Sequence, residues 1–237
     1  MTRVEQEPAY VLHRRAYRET SLLVSLFSLE YGRMSLVARG ATRPKSPWKA
    51  QLQPFQPLIV DWQGRGDLKN LAQVEVQSGP TPRGTRALYC GFYLNELMER
   101  LLPAQEPSRE LFGAYIEALH GLAQAEDLEQ VLRRFEWVLI DVLGYGFSWD
   151  VASDLEETVQ AGRSYGYDPQ QGIVAEPGQS ILLSGLPGDT LLTLAQGHLD
   201  DPGARRMAKR VTRALIDYLL QGRPLNSRKL FNDKHGE

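Results

Sequence analysis

The most restrictive feature of this sequence is a change of hydrophobic period near residue 80. Before it, apolar residues come in short alternating runs, Tyr10–His13, Leu22–Ser28, Met34–Arg39, Leu58–Trp62 and Leu71–Val76, rich in β-branched and aromatic side chains. In Met34–Arg39 the even positions are apolar and two of the odd ones polar, the pattern of a half-buried strand. Turn residues separate the runs at Tyr31-Gly32-Arg33, at Gly40 and at Gly64-Arg65-Gly66-Asp67. After the Gly-, Pro- and Thr-rich stretch Ser78–Thr85 the period becomes helical. The spacing predicts helices over Ala87–Leu102, Ser108–Leu122 and Asp127–Leu143, with Asp127 as N-cap and Gly144 as stop. A last helix is predicted from Asp201-Pro202, with Pro in its first turn, to Gly222. Residues 144–190 have no period.

The expected fold class is therefore α+β. A five-stranded β-barrel over residues 1–80 precedes an all-helical domain over 81–237 that carries an irregular insert at 144–190. Five short strands in about 70 residues fit a small closed barrel, and the OB-fold is the commonest nucleic-acid-binding member of that group. Another small β-barrel would leave the same trace.

Several functions are excluded by residue type. Cys90 is the single cysteine, so neither an internal disulfide nor a thiolate zinc cluster can form within one chain. Cys90 sits in an apolar helical pattern and is expected to be buried and inert. His13, His120, His198 and His235 show no metal-ligand spacing. No Gly-rich phosphate loop, carboxylate pair, nucleophile elbow or metal-binding acid cluster is visible, and Gly64-Arg65-Gly66 precedes a strand rather than opening a helix. An enzyme, including a nuclease, is not expected, nor any cofactor. No apolar run approaches the roughly 18–20 residues that cross a bilayer, and the segment MTRVEQEPAY lacks an apolar signal core. The expected location is cytoplasmic, with no membrane partner.

The net charge of −2 conceals a strong asymmetry. Residues 1–86 carry 13 basic and 7 acidic side chains, residues 87–204 carry 5 and 19, and residues 205–237 carry 9 and 3. Basic ends around an acidic middle suit a polyanion, although they also suit mutual neutralisation. The arrangement of the charges favours the first. Residues 10–49 hold eight cations, Arg14, Arg15, Arg18, Arg33, Arg39, Arg43, Lys45 and Lys49, against two acids, interleaved with Tyr17, Tyr31 and Trp48. Cations that track phosphates beside aromatics that stack bases are what single-strand binding requires. On the last predicted helix, Arg205, Arg206, Lys209, Arg210 and Arg213 fall within an arc of about 140°, and Met207, Val211, Ala214, Leu215 and Tyr218 fall opposite. That basic arc faces solvent, an acidic segment or phosphates, and Lys209, Arg210 and Arg213 join the expected DNA-binding set. Arg133 and Arg134 break an otherwise acidic stretch beside Phe135, Val138 and Leu139; they suit the edge of an apolar groove or simple pairing with Glu129 and Glu136.

These residues resemble the RecO family of bacterial recombination mediators. The likeness runs in order through Tyr10–Leu22, Gly32–Ala41, Leu52–Leu58, Tyr93–Leu97, Leu132–Glu136, Leu143–Gly146 and Gly222–Leu230. It implies an N-terminal OB-fold and a helical C-terminal domain. It also implies binding of single- and double-stranded DNA, annealing of complementary strands, and loading of recombinase onto DNA coated by single-stranded-DNA-binding protein (SSB), with RecR as partner and the nucleoid as place. Many members carry a four-cysteine zinc module after the Leu-Gly-Tyr segment, but residues 144–190 contain no cysteine, so zinc is excluded here. The resemblance places a pocket for the acidic SSB tail in the helical domain, where the matching positions are Arg133 and Arg206; Leu139, Ile140 and Leu143, further along the Arg133 helix, are expected to supply its apolar floor. An OB-fold protein of RNA metabolism is the competing reading, since 2′-hydroxyl discrimination leaves no mark in sequence.

Overall fold

Five strands that each alternate core and surface residues close on themselves in the first part of the chain. The computed structural model describes residues 2–124, 126–176 and 178–231. Its first elements are β1 (Thr2–Tyr17), β2 (Ser21–Ser28), β3 (Gly32–Ala38), the single-turn α1 (Trp48–Gln51), β4 (Pro57–Gly64) and β5 (Leu68–Val76). β1 pairs antiparallel with β2 and β4, β2 with β3, and β4 with β5. A parallel pairing of β3 with β5 closes the barrel in the order β1-β2-β3-β5-β4, the OB-fold arrangement. Val24, Leu26, Met34, Leu36, Leu58, Val60 and Trp62 point inward to the barrel core.

β1 is longer than its apolar pattern suggests. Glu5, Gln6, Glu7 and Pro8 do not alternate, yet the strand pairs with β4 from Thr2 onward through a register shift between Val4 and Glu7. Side chains replace the interrupted ladder. The Gln6 N–H donates to Asp61 Oδ1 at 2.9 Å, and the buried Glu7 accepts from the Glu30 N–H at 2.7 Å. The hairpin from β2 to β3 turns at Gly32, whose φ is +64° and where an added Cβ would lie 2.1 Å from the Glu106 carbonyl oxygen. Only glycine satisfies both conditions.

The chain continues as α2 (Thr85–Leu101), α3 (Arg109–Ala123), α4 (Leu128–Val142), β6 (Val151–Ala152), β7 (Glu157–Thr158), β8 (Ser164–Asp168), β9 (Gly172–Val174), β10 (Leu183–Pro187), α5 (Gly188–Ala195), α6 (Pro202–Leu219) and α7 (Ser227–Leu230). It forms two compact units, one running to Val131 and resuming at Leu225, the other spanning Leu132–Pro224. The Gly- and Pro-rich stretch at 78–85 lies within the first.

In that first unit one side chain fastens helix to barrel. The register shift between Val11 and His13 takes Leu12 out of the β1–β2 ladder. The buried Asn95 of α2 donates to the Val11 and Leu12 carbonyls at 3.1 and 3.2 Å, and accepts from the Tyr115 hydroxyl of α3 at 2.7 Å. Tyr10 packs edge-on to Tyr115 and tilted on Phe112, and its cross-strand partner Phe27 is also tilted on Phe112. Burial keeps the Tyr115 hydroxyl protonated far above the ordinary phenol range. Further along α2, Glu96 accepts from the N–H groups of Asn226 and Ser227 and from the Ser227 hydroxyl, which fixes the start of α7.

The second unit departs from the expected irregular insert. Residues 144–190 contain a two-stranded sheet, β6-β7, a three-stranded sheet, β10-β8-β9, and the first turn of α5. Strands of two to five residues are too short to show a period. Ala152, Val159, Tyr165, Tyr167, Ile173 and Leu186 share one core with α5 and with Ala204, Met207, Ala208, Val211 and Leu215 of α6. No thiolates are present, and aromatic packing occupies the interior: Phe147 lies against Trp149 and Tyr167. Among the described residues no group of His, Cys, Asp or Glu could hold a metal ion, and His235 lies outside them.

Two measurements test this account of the first unit. Asn95→Leu keeps the volume but removes the amide, costing about 1–3 kcal/mol for each buried group left unsatisfied, read as a lower urea midpoint. Burial raises the Glu96 pKa, but the Ser227 and Asn226 hydrogen bonds and Arg100 outweigh it and hold the carboxyl below its ordinary value of 4.5. The stability this gives is present above pH 4.5 and fades as pH falls through the folded value. Glu96→Gln flattens that part of the curve of stability against pH.

Candidate nucleic-acid interface

The cations of the barrel fall into two groups once their hydrogen bonds are known. Arg14 does not face solvent freely: its Nη1 donates to the Lys49 and Leu52 carbonyls at 2.8 and 2.9 Å, and its Nη2 to Gln53 Oε1 at 2.9 Å. It closes the end of α1, where carbonyls lack helical partners. Arg33 donates from Nε to the Leu102 carbonyl at 2.9 Å and lies 3.9 Å from Glu99. Both are structural clamps, a role that residue type does not reveal.

The second group converges on one place. Beyond β1 the turn Arg18-Glu19-Thr20 leads into β2, and Arg18 adopts a left-handed conformation, φ +54°, that costs a residue with a Cβ about 1–3 kcal/mol. Its guanidinium carbon sits 5.2 Å from the centre of the Tyr17 ring, within cation–π range. This turn, the end of β3 with the loop after it, and the start of β5 enclose an open cleft of about 450 Å³. Arg18, Arg39 and Arg43 line it together with Tyr17, Val37, Leu68 and Asn70, and no acidic side chain does. None of these three arginines forms an ion pair among the described residues. Arg15, Lys45 and Lys49 are exposed on the same barrel but do not line the cleft.

Of the three aromatics interleaved with these cations, only Tyr17 reaches the cleft. Trp48 packs against the barrel core, and Tyr31 lies edge-on to Trp62. Sequence pattern alone did not single out Leu68 or Asn70. Their one local signal was the Gly64-Arg65-Gly66-Asp67 turn. What brings Asn70 to the site is the parallel pairing of Val37 with Asn70, a contact no local pattern announces.

In the second unit Arg206, Lys209, Arg210 and Arg213 of α6 are exposed and Met207, Val211 and Leu215 are buried, as expected, but Ala214 is half-buried and Tyr218, expected on the apolar arc, is 41% exposed. Asp201 caps the helix by accepting from the Ala204 N–H at 2.7 Å, and Arg205 donates to the Leu199 carbonyl at 3.0 Å. At the expected SSB-tail positions, the Arg133–Glu136 pairing that residue types allowed is formed. Arg133 is only 6% exposed and is paired with the fully buried Glu136 at 2.5 Å, so it is neither a surface residue nor an open anion ligand. Leu139 is wholly buried and Leu143 half-buried. Of the expected apolar positions Leu139, Ile140 and Leu143, Ile140 shares a core with Met207 and Val211, and Leu139 lies about 100° round the helix from it.

A closed five-stranded barrel in this strand order, with an acid-free arginine cleft beside its first turn, defines an OB-fold protein. Comparison with known proteins narrows the class. The family model "Recombination protein O N terminal" matches residues 1–79, and "Recombination protein O C terminal" matches residues 84–229. The chain is 57% identical to the DNA repair protein RecO of Marinobacter nauticus over 97% of its length and 94% of that protein's. It is 44% identical to that of Methylococcus capsulatus, covering 97% and 94%, and 43% identical to that of Nitrosococcus oceani, covering 98% and 94%. The chain belongs to the RecO family.

The buried pair gives a prediction that holds whatever binds nearby. Arg133→Ala leaves a buried carboxylate without its guanidinium and lowers stability by about 3–5 kcal/mol, measured by denaturant unfolding. A drop of under about 1 kcal/mol, the range of exposed pairs, would mean that the pair is solvated.

Proposed function

We propose that this RecO-family chain is a DNA-binding recombination mediator. In this reading it anneals complementary single strands and helps load recombinase onto SSB-coated DNA in recombinational repair, in company with RecR and close to the nucleoid. The observation that carries the reading is the arginine cleft on the OB barrel: three guanidinium groups, unopposed by any lining acid, meet where an OB-fold takes oligonucleotides. The relatives are named for DNA repair, which favours DNA over RNA. The work proposed is binding and juxtaposition of strands rather than bond making, and its driving force is counterion release from phosphates. No helix among the described residues is long and apolar enough to cross a membrane.

Arg15, Arg39 and Arg43 are proposed as phosphate contacts, with Arg18, Lys45 and Lys49 beside them; Lys209, Arg210 and Arg213 of α6 are proposed as further DNA contacts in the second unit. For the SSB tail, Arg206 is the accessible cation of the proposed pair. Arg133 is buried and holds Glu136 through Nη2, while its Nε has no hydrogen-bond partner among the described residues, so its part in tail binding requires that the tail reach a buried guanidinium. The tail test therefore rests on Arg206→Ala, which weakens calorimetric binding of a tail peptide by about 1.5–3 kcal/mol if the groove is placed correctly.

Changing Arg15, Arg39 and Arg43 together to Glu is expected to weaken DNA binding for all sequences. The slope of log affinity against log salt should also fall, by about 0.7 for each single-strand phosphate that is no longer neutralised. Arg14→Gln, in contrast, is expected to lower stability while leaving that slope in place. An unchanged slope in the triple variant would move the DNA site elsewhere. Annealing of SSB-coated complementary strands should be faster when SSB keeps its tail, and equal rates with tailless SSB would remove the tail from the mechanism.

A further inference from the structure

The cleft is more than a cationic surface, and its lining says what it holds. Phosphate tracking needs only exposed charge, which Arg15, Lys45 and Lys49 supply without any concavity. Here the lining residues include Tyr17, Leu68, which is 41% exposed, and Asn70. An apolar wall, an aromatic ring and one amide beside three cations match the chemistry of a nucleotide, part by part. Its volume of about 450 Å³ lies within the range of about 300–1,000 Å³ in which small ligands are enclosed. Arg18 is held in a left-handed backbone conformation, and its guanidinium lies over the Tyr17 ring, where a stacked base would lie.

We propose that the cleft seats one unstacked nucleotide of a single strand. Its base lies against Tyr17 and Leu68 with the Asn70 amide at its edge, and its phosphate lies among Arg18, Arg39 and Arg43. Arg18 covers the ring in the unliganded protein and exchanges that contact for the phosphate when the base enters. The barrel thus holds a single strand by one base as well as by its backbone. A paired base has its Watson–Crick edge and both faces covered, so the cleft selects unpaired strand, the form in which annealing must begin. This inference rests on the proposed nucleic-acid reading of the barrel and adds a base site to it.

The test compares two strands of equal length and charge, an oligothymidylate and the same backbone with every position abasic, by fluorescence anisotropy with the full chain. The wild type is expected to bind the thymidylate strand about five- to a hundredfold more tightly, the span covered by base–aromatic stacking. Tyr17→Ala and Asn70→Ala should bring that ratio toward one while leaving the salt slope unchanged, because neither side chain neutralises a phosphate. Tyr17→Phe should keep the ratio. Circular dichroism and urea midpoints establish that the variants fold, and Asn70→Ala, half-buried on the surface, serves if Tyr17→Ala does not. Equal affinity of the wild type for both strands overturns the base site and leaves the phosphate reading standing, as does a full ratio in folded Tyr17→Ala and Asn70→Ala. Binding of neither strand overturns the nucleic-acid reading itself.

Discussion

The first strand is where the barrel and the helices of its unit become one structure. Its middle is covered on both faces: Ala9 and Val11 join the barrel core, while Tyr10 lies against Phe112 and Tyr115 of α3. A strand so enclosed must satisfy its carbonyls internally, because water cannot reach them. The register shift at Leu12 frees two carbonyls from the ladder, and Asn95 is the donor that meets them. Since Asn95 also accepts from Tyr115, a single amide sets α2 and α3 against the barrel. With that placement fixed, Gly32 can approach the Glu106 carbonyl, and Gln105 can donate its N–H to the Arg33 carbonyl at 3.0 Å.

The same economy of hydrogen bonds sorts the arginines. Guanidinium groups next to helix ends and buried loops are engaged by carbonyls, as at Arg14, Arg33 and Arg205. Arg18, Arg39 and Arg43, on the turn after β1 and at the end of β3 with the loop after it, pair with no acid among the described residues, and they converge on a concave surface. The division leaves Arg18, Arg39 and Arg43 gathered at the cleft, with Arg15, Lys45 and Lys49 exposed elsewhere on the barrel. Arg133 is the extreme of the engaged group, enclosed with a carboxylate in the second unit, where its desolvation is offset only by the pair it forms.

The second unit shows how a segment without metal ligands is held. Short sheets of two and three strands are marginal in water unless they pack on something. Here Tyr165, Tyr167, Ile173 and Leu186 bury their side chains with the apolar face of α6, and Phe147 and Trp149 add ring contacts. The exposed face of α6 is then left to its cations.

Much of this was legible in the order of residues. Period-two runs that become period-three-to-four runs across a Gly- and Pro-rich stretch determined a barrel followed by helices, because side-chain burial on a strand or helix follows its own repeat. Met34, Leu36 and Ala38 went inward, and Met207, Val211 and Leu215 formed one face, as their spacing required. The clustering of cations in residues 10–49 pointed to the barrel surface that carries the arginine cleft. Tertiary structure decided which cations are available. Arg14 and Arg18 are four positions apart and chemically identical, yet one is locked on the carbonyls at the end of α1 and the other stands over Tyr17 beside a cleft. Asn70 enters that cleft only because β5 closes the barrel beside β3, and Arg133 leaves the surface only because its helix is packed there. Charge and period are local properties that a sequence displays. Solvation and hydrogen-bond partners depend on which distant backbone arrives alongside, and that is settled when the barrel closes and the helices pack.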